Sequence, residues 1–237
     1  MRIISWNLRR ASSESRAWEI LEELKGDVIF LQEVTNIPKN FQAGFHIVSA
    51  IPRTQTGTEQ KFSTVVLSKT TLGINSILKS KIKWVNEQLD FYTGNLLSCS
   101  TVSSSGLRIN LVCVYSPAWP IPNERLKGID ISSVKLKQND KIYCTEILWA
   151  CLKEAVIKDS DAWVIAGDFN SSLTFDWKRP RGNQEIIDRM NSLGFVDSLS
   201  SSEGRLVPTF INNRGGKIIH QLDYIYLNEI LKADLRK

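Results

Sequence analysis

The stretch RIISWNLRRASSESRAWEILEELKGDVIFLQE (residues 2–33) indicates the fold class, because it reads as a strand, a helix and a second strand. Residues 2–6 are a short apolar run typical of a strand. Residues 12–24 repeat apolar side chains along one face of a helix, namely Ala17, Ile20, Leu21 and Leu24. Residues 27–31 are a continuous apolar run, which favours a buried strand. This succession predicts an α/β protein.

The composition is that of a globular protein with a mild basic excess. Of the 237 residues, 42% are hydrophobic and 23% are charged, which excludes disordered and fibrous classes. Lys and Arg number 30 against 25 Asp and Glu, giving a formal net charge of +5. This excess suits a polyanionic substrate, although it serves solubility equally well.

The cysteines and the apolar runs indicate a cellular location. Cys99, Cys113, Cys144 and Cys151 form no CxxC pair and are interpreted as free, buried thiols in a reducing compartment. A zinc site is not expected, because the only histidines are His46 and His220. Neither a secretory signal nor an apolar run of the roughly 20 residues that cross a bilayer is found. We therefore predict a cytoplasmic monomer without a membrane span.

The rest of the chain contains neither repeats nor linkers and is interpreted as one domain over residues 1–237. Further strands are predicted at residues 63–67, 91–100, 107–115, 163–166, 195–196 and 218–227. Helices are predicted at residues 142–157 and 185–193. Turn signals at residues 103–106 and 212–216 predict a hairpin and the entry to the last strand. The segment 117–140, with three prolines, is expected to be a long surface loop, a kind of loop that often carries function.

Polar side chains occupy the ends of several predicted strands, where packing does not explain them: Asn7, Glu33, Asp168, Asn170 and Asp223. Ligands of α/β sheets collect at strand ends. Each residue taken alone has a structural explanation, such as a turn cap, a solvated carboxylate, an Asx-turn or an ion pair. Together, their carboxylate and amide oxygens suit Mg²⁺, and an Asp and an Asn one residue apart suit a phosphate and its attacking water.

Five motifs, SWNLR, IFLQEV, CVYSP, VIAGDFNSS and QLDYIYL, closely resemble in this order the successive motifs of the endonuclease/exonuclease/phosphatase superfamily. The segments MNSLGFVDSL and VPTF resemble the usual connection between the last two motifs. The resemblance covers residues 2–227, and five motifs in order are far more specific than any one of them. It implies a four-layer α-β-β-α sandwich, in which two mixed β-sheets pack face to face with helices outside.

The resemblance also implies a reaction, the Mg²⁺-dependent hydrolysis of phosphoester bonds, with Mn²⁺ as a possible substitute. Glu33 matches the principal metal ligand of the family. Asn7 matches the residue beside the metal and the attacking water, and we expect it to contribute to the metal site. Tyr115 matches the tyrosine whose hydroxyl contacts the phosphate.

The last two motifs complete the implied site and also contain departures from the family. Asp168 and Asn170 match the pair that handles the nucleophilic water and the scissile phosphate, and Asp223 matches the aspartate that orients a catalytic histidine. Arg9 stands where several nuclease members carry an acidic residue, and Tyr115 replaces a histidine found in other branches. This pattern is closer to AP-endonuclease-like branches than to sphingomyelinase-like ones.

The histidine that Asp223 would orient has no counterpart in the sequence. Family members usually end with a Ser-Asp-His tripeptide on one more strand, and that tripeptide is absent here. We therefore expect the natural protein to be longer, with this strand missing from residues 1–237. His220, three residues before Asp223 on a strand, is expected to point to the opposite face. A non-catalytic phosphate-binding module that lost its histidine remains an alternative.

Two tryptophans and two arginines on predicted loops near the active end are candidates for substrate contacts: Trp119, Trp177, Arg179 and Arg181. Aromatic rings beside arginines can stack on bases, although such rings also simply cover cores. The basic balance, Tyr115 and the loop around residues 177–181 favour nucleic acid as the substrate. Small-molecule or lipid phosphates remain an alternative, because the fold alone does not choose between them.

Overall fold

The computed structural model describes residues 1–74, 77–156, 161–210 and 219–232, in which the strands form two mixed sheets. The first sheet has the order β1-β2-β4-β3 and the second has the order β5-β6-β7-β9-β8. The strands of the first sheet are β1 (Ile3–Asn7), β2 (Val28–Val34), β3 (His46–Ala50) and β4 (Ser63–Ser68). Those of the second sheet are β5 (Leu96–Val102), β6 (Arg108–Tyr115), β7 (Ala162–Asp168), β8 (Phe195–Asp197) and β9 (Asp223–Asn228). β1 runs parallel to β2 and β6 runs parallel to β7, while all other neighbours are antiparallel.

The two sheets pack face to face through a shared apolar layer. Val28 and Phe30 of β2 contact a cluster that includes Leu111 of β6 and Val164 of β7, all of them almost completely buried. The intervening β2 residue, Ile29, belongs to a different cluster on the outer face. Because neighbouring side chains of a strand point to opposite faces, an apolar run such as β2 is expected wherever both faces are covered.

Helices cover the outer faces of both sheets. The helices are α1 (Ala17–Leu24), α2 (Lys39–Gln42), α3 (Lys83–Phe91), α4 (Cys144–Ala155), α5 (Asn183–Ser192), α6 (Ser198–Glu203) and α7 (Glu229–Lys232), of which α7 packs its Leu231 against the layer between the sheets. Trp18 of α1 packs with Ile29 on the first sheet. Val85 of α3 and Leu148 of α4 pack with Ile165 on the second sheet. The predicted four-layer α-β-β-α sandwich is confirmed.

Two predicted boundaries are wrong for reasons of packing. Residues 91–100 were expected to form one strand, but Phe91 ends helix α3 and the strand begins only at Leu96. One side of that helix is buried and consists of Trp84, Val85, Gln88 and Phe91. In the sequence, the short apolar run that follows the helix obscures this helical spacing. The last strand begins at Asp223, so residues 219–222 of its predicted range are not part of it, while residue 218 and the predicted turn at residues 212–216 lie outside the described residues.

The segment 117–140 is more than a surface loop. It contains a 3₁₀ helix at Asn123–Leu126, and its Ile121, Val134 and Leu136 are buried. Arg189 of α5 donates hydrogen bonds to the carbonyl oxygens of Val134 (2.6 Å) and Lys135 (2.7 Å). The segment is therefore part of the second sheet's outer layer, and composition alone did not reveal its buried side chains.

The four cysteines are free and buried, as predicted. Burial raises the pKa of the Cys99, Cys113 and Cys151 thiols to about 12, so these side chains stay protonated and unreactive. Among the helices that the structure describes, none is long and apolar enough to cross a membrane.

Glu146 is a buried carboxyl that is expected to make stability depend on pH. Its Oε2 accepts a hydrogen bond from Thr145 Oγ1 (2.7 Å), whereas its Oε1 has no hydrogen-bond partner among the described residues. Burial raises the pKa of Glu146 from 4.5 to about 7, against the opposing effect of Thr145. The ionised form is thus disfavoured in the folded state, so the free energy of unfolding should fall as pH rises from about 4.5 to about 7.

We expect Glu146→Gln to remove this penalty, a gain of up to about 3 kcal/mol at pH 8 and little gain at pH 4.5. Urea unfolding of both proteins at the two pH values measures it. Glu87→Gln, at an exposed position of α3, is the matched control. An equal effect of Glu146→Gln at both pH values would contradict the prediction.

Candidate active site

The predicted catalytic side chains meet at one edge of the sandwich, where strands of both sheets end. Asn7 and Glu33 come from β1 and β2 of the first sheet. Tyr115, Asp168 and Asp223 stand side by side at the ends of β6, β7 and β9, since Tyr115 is paired with Asp168 and Asp168 with Asp223. The hydrogen bond from Asn7 Nδ2 to Asp168 Oδ2 (3.1 Å) joins the two sheets.

A β-bulge directs Glu33 into this edge. The pairing of β2 with β4 shifts register between Leu31 and Val34, and Glu33 has a φ of 54°, which is unusual for a residue with a side chain. Bulges often redirect a side chain beside an active site. The redirected carboxylate accepts hydrogen bonds from Tyr115 OH (3.3 Å) and Asn7 Nδ2 (3.3 Å) at Oε1.

The side-chain amide of Asn7 acts as a bridge. Its Nδ2 donates to Glu33 Oε1 and Asp168 Oδ2, while its Oδ1 accepts the backbone N–H of Arg9 at 2.9 Å. The amide oxygen therefore faces the following turn rather than the carboxylates. This geometry favours a hydrogen-bonding role for Asn7, and its predicted contribution to a metal site stays a prediction.

Asp168 and Asn170 form a tight turn after β7. The backbone N–H of Asn170 donates to Asp168 Oδ1 (2.9 Å), and Asn170 adopts a left-handed φ of 49°. Its Nδ2 donates to the carbonyl oxygen of Ser116 (2.7 Å), which fixes the direction of the amide. Burial raises the pKa of Asp168 to about 7, and the neighbouring Asp223 adds to the shift. The site thus holds a carboxylate suited to accepting a proton near neutral pH.

Tyr115 and Asp223 complete the row on the second sheet. Burial, followed by the nearby Glu33 carboxylate, raises the pKa of Tyr115 well above its usual value, so the phenol stays protonated and remains a hydrogen-bond donor. Burial likewise raises the pKa of Asp223, while the side-chain hydroxyl of Thr209 and the charge of Arg9 oppose that shift.

An open cleft of about 650 Å³ lies at this edge of the sandwich, and all of the predicted catalytic side chains described above except Tyr115 line it. Its lining includes Asn7, Arg9, Glu33, Asp168, Asn170, Thr209, Phe210 and Asp223. Within the described ranges, no group of three or more His, Cys, Asp or Glu side chains is arranged to hold a metal ion. One partly exposed glutamate among oxygen-bearing neighbours fits a cation such as Mg²⁺, which keeps most of its waters, and does not fit a zinc site.

The remaining predicted residues lie outside this cleft. Trp119 stacks on Tyr92, with ring centres 6.0 Å apart, and packs against the core, which favours the alternative of a structural aromatic. Trp177 is 70% exposed, and Arg179 is exposed beside it. Arg181 borders a second cavity of about 260 Å³ that shares Asn170 with the cleft. The expected substrate contacts of Trp177, Arg179 and Arg181 stay predictions.

His220 does not face the carboxylates. Its Nδ1 is 2.5 Å from Thr174 Oγ1, and its ring lies 4.6 Å from the Phe175 ring. This position agrees with the expectation that His220 points away from Asp223.

Sequence reasoning missed four residues that surround the site. Arg9 and Arg10 follow Asn7 in a left-handed turn, and the rings of Phe62 and Phe210 lie under their guanidinium groups. The pair of arginines at the end of the SWNLR motif, Arg9 within it and Arg10 directly after it, was a usable signal. No pattern in the sequence indicated Phe62 and Phe210, because only the fold brings these two residues close to the arginines.

Comparison with known proteins agrees with this architecture. The sequence matches the profile of the Endonuclease/Exonuclease/phosphatase family over residues 4–234. Among curated protein sequences, none matches the chain.

Several solved structures share the fold. An AP endonuclease from Archaeoglobus fulgidus superposes with a TM-score of 0.63 at 18% identity, covering 96% of this chain and 87% of that one. The APE2 catalytic domain from Xenopus laevis gives 0.65 at 18% identity, covering 98% and 83%. The 3′-5′ exonuclease NExo from Neisseria meningitidis gives 0.61 at 18% identity, covering 100% and 90%. The profile match over nearly the whole chain, on this fold, shows that the protein belongs to the Endonuclease/Exonuclease/phosphatase family and is a phosphoesterase.

Proposed function

We propose that this protein is a Mg²⁺-dependent nuclease that hydrolyses phosphodiester bonds in nucleic acid. The observation that carries the proposal is the convergence of Glu33, Asp168 and Asn170 on one open cleft at the junction of the two sheets. The resemblance of Glu33 to the principal metal ligand of the family supports a divalent metal ion as the cofactor. The formal charge of +5 and the similarity of the fold to an AP endonuclease and a 3′-5′ exonuclease support nucleic acid as the substrate.

The roles of the residues follow from their hydrogen bonds. Glu33 would hold the cation, whose positive charge would offset the negative charge that develops on the phosphate. Asp168 would accept a proton from the attacking water, because burial raises the pKa of its carboxyl to about 7, which is near neutral pH. Asn7 keeps Glu33 and Asp168 apart at fixed positions through its bridging amide.

Two donors are placed to bind phosphate oxygens. Asn170 Nδ2 has a second hydrogen beyond the one donated to Ser116, and the protonated Tyr115 hydroxyl would turn its one hydrogen from Glu33 Oε1 to the phosphate once a cation takes that carboxylate. Such donors stabilise the transition state when they are fixed before the substrate arrives. Asp223 borders the same cleft and is also a carboxylate. We assign the proton-accepting role to Asp168 instead, because the Asp168 carboxylate is held in place by hydrogen bonds from Asn7 Nδ2 and from the backbone N–H of Asn170.

The proposed setting is the cytoplasm, with the protein acting as a monomer. The four free, buried cysteines support a reducing compartment.

A panel of substrates tests the proposal. Plasmid DNA, abasic-site DNA and single-stranded RNA are compared with phospholipids, inositol phosphates and bis(p-nitrophenyl) phosphate, in Mg²⁺, Mn²⁺ or EDTA. We expect cleavage of a nucleic acid in Mg²⁺, loss of cleavage in EDTA, and a steep fall with salt as phosphate contacts weaken.

Three results would contradict the proposal in different ways. Turnover of a small or lipid phosphate alone would replace the nuclease with a small-molecule phosphoesterase. Activity that survives EDTA unchanged would remove the metal. Tight binding of phosphoesters without turnover would indicate a non-catalytic module.

A further inference from the structure

A second cavity of about 260 Å³ adjoins the cleft at Asn170, which alone among the described residues lines both. The cleft is bordered by β1 and the start of β9, whereas the cavity lies between the loops that follow β6 and β7 and the start of α4. A phosphodiester carries one substituent on each side of its phosphorus. With the phosphate at Asn170, one substituent would therefore extend along the cleft and the other would enter the cavity.

Hydrogen bonds fix the walls of the cavity before any ligand arrives. Asp176 accepts hydrogen bonds from the backbone N–H of Arg181 (2.8 Å) and from Asn183 Nδ2 (2.8 Å), which closes the loop between β7 and α5. Asn139 Nδ2 donates to the carbonyl oxygen of Arg181 (3.3 Å) and ties the segment 117–140 to the same loop. Such a preformed site binds a ligand without the entropy cost of ordering its own loops.

Apolar side chains give the cavity surfaces that suit a flat ring. They include those of Pro117, Leu136, Phe169, Phe175 and Ile186. Two of the five are aromatic, and aromatic rings offer flat faces to a planar ligand. The volume lies near the lower end of small-molecule sites, which span roughly 300 to 1,000 Å³. The cavity is therefore suited to one ring system rather than to a longer stretch of a strand.

Two buried hydroxyl groups line the cavity as hydrogen-bond acceptors. Thr145 Oγ1 donates its hydrogen to Glu146 Oε2 (2.7 Å), and Ser171 Oγ donates its hydrogen to Asn183 Oδ1 (2.8 Å). A hydroxyl has a single hydrogen, so these two groups keep only lone pairs for a ligand. Thr145 and Ser171 are each only 6% exposed, and they therefore belong to the deep part of the cavity. This part favours a ligand group that donates hydrogen bonds, such as an amino group.

Arg181 stands at the mouth of the same cavity. Its side chain is exposed, and among the described residues its guanidinium has no ion-pair or hydrogen-bond partner. A guanidinium donates hydrogen bonds in a planar fork and also stacks on flat rings. The cavity thus combines acceptors in its depth with donors at its mouth.

We propose that this cavity binds one unpaired nucleobase that carries an amino group, on the nucleotide next to the scissile phosphate. The inference rests on the proposed nuclease function and specifies which part of the substrate is recognised. The faces of the base would pack against the apolar side chains, its amino group would donate toward Thr145 and Ser171, and its ring acceptors would face Arg181. A base inside a duplex is excluded, because its pairing partner occupies the edge that the cavity binds.

Calorimetric titration in EDTA tests the cavity independently of cleavage. The ligands are cytidine and uridine monophosphates, each as the 3′- and the 5′-phosphate, and ribose 5-phosphate. Cytosine has an amino group where uracil has a carbonyl oxygen, and ribose 5-phosphate has no base. We expect cytidine monophosphate to bind about tenfold more tightly than uridine monophosphate, and more tightly still than ribose 5-phosphate. Equal affinities, or no binding of either nucleotide, would overturn the proposal.

Two variants locate the binding site. Ala118→Trp fills the cavity from an exposed position, and Arg181→Gln removes the guanidinium while leaving the backbone hydrogen bonds of this residue in place. Each should weaken the binding of cytidine monophosphate about tenfold at an unchanged Tm. Ala43→Trp and Arg205→Gln, at exposed positions that do not line the cavity, are the matched controls. Wild-type affinity in both cavity variants would place the nucleotide elsewhere and overturn the proposal.

Cleavage adds a comparison of substrates. In Mg²⁺, kcat/KM of the wild type and of Ala118→Trp is measured for a dinucleotide of two cytidines and for the two versions that lack one base. Ala118→Trp should cost about tenfold on the intact dinucleotide and almost nothing on one of the other two, because both changes then remove the same contact. Equal losses on all three substrates would contradict a base in the cavity. A wild type that cleaves no nucleic acid would refute the proposed function, while the titrations would still decide the cavity.

Discussion

Asp168→Asn is expected to lower kcat/KM for phosphodiester hydrolysis by about 10³-fold or more. Asparagine has nearly the same shape and keeps an oxygen for the Asn170 N–H, but it cannot accept a proton from water. The net effect on the fold should be small, because removal of a buried charge that Asp223 crowds offsets the loss of the hydrogen bond that Asn7 Nδ2 donates to Asp168 Oδ2. An unchanged or higher Tm together with the kinetic loss would therefore assign the effect to chemistry.

Glu33→Gln is the partner variant, and it separates metal binding from proton transfer. In the wild type, Mg²⁺ at ten times its Kd should add about 1.4 kcal/mol of stability and raise Tm by a few degrees. Glu33→Gln should lose this shift together with activity, whereas Asp168→Asn should keep much of the shift. Asp188→Asn, at an exposed position of α5, is the matched control for the loss of a carboxylate. Retention of more than about a tenth of the activity by Asp168→Asn would refute its role as the base.

Gly167→Ala is the second change with a large expected effect, and it acts on the fold. Gly167 precedes Asp168 in β7 with a φ of 143°, and a Cβ at this position would collide with the backbone of Val114 in the neighbouring strand. Backbone cannot move aside as a flexible side chain can, so β6 and β7 would have to separate. We expect a loss of about 3 kcal/mol or more, or failure to fold.

Gly106→Ala isolates the contribution of that collision. Gly106 also has a positive φ, 84°, but it lies in the β5–β6 turn, and an added Cβ would meet nothing within 4 Å. We expect a loss of only about 1 kcal/mol from backbone strain. Denaturant unfolding of both variants measures the difference. Similar losses at the two positions would show that strain, rather than the close approach of β6 and β7, determines the requirement for glycine.

Most of the architecture could be predicted from the sequence, because the central strands are apolar on both faces. The apolar runs of β2, β6 and β7 were correctly placed, and each led to a polar residue at the shared edge. Helix α3 was missed because burial of Trp84 and Phe91 depends on partners far along the chain. The buried side chains of segment 117–140 were missed for the same reason.

The details of the site were less accessible to sequence reasoning. The pattern of β2 predicts a regular strand, and only the pairing with β4 reveals the bulge that turns Glu33 toward Asp168. The orientation of the Asn7 amide and the rings beneath Arg9 and Arg10 depend on contacts between both sheets. Trp119 shows the opposite error, since a loop position near a catalytic motif suggested substrate contact while the fold uses the ring for packing.

The division of the proposed catalytic residues between two sheets would make catalysis a reporter of assembly. Neither half of the sandwich carries all of these residues, because Asn7 and Glu33 belong to one sheet while Asp168 and Asn170 follow from the other. A partly folded chain with one sheet formed would be inert, however native its secondary structure. Loss of turnover during mild denaturation would therefore register separation of the sheets before any strand unravels, and an early folding intermediate would pose no risk of uncontrolled cleavage.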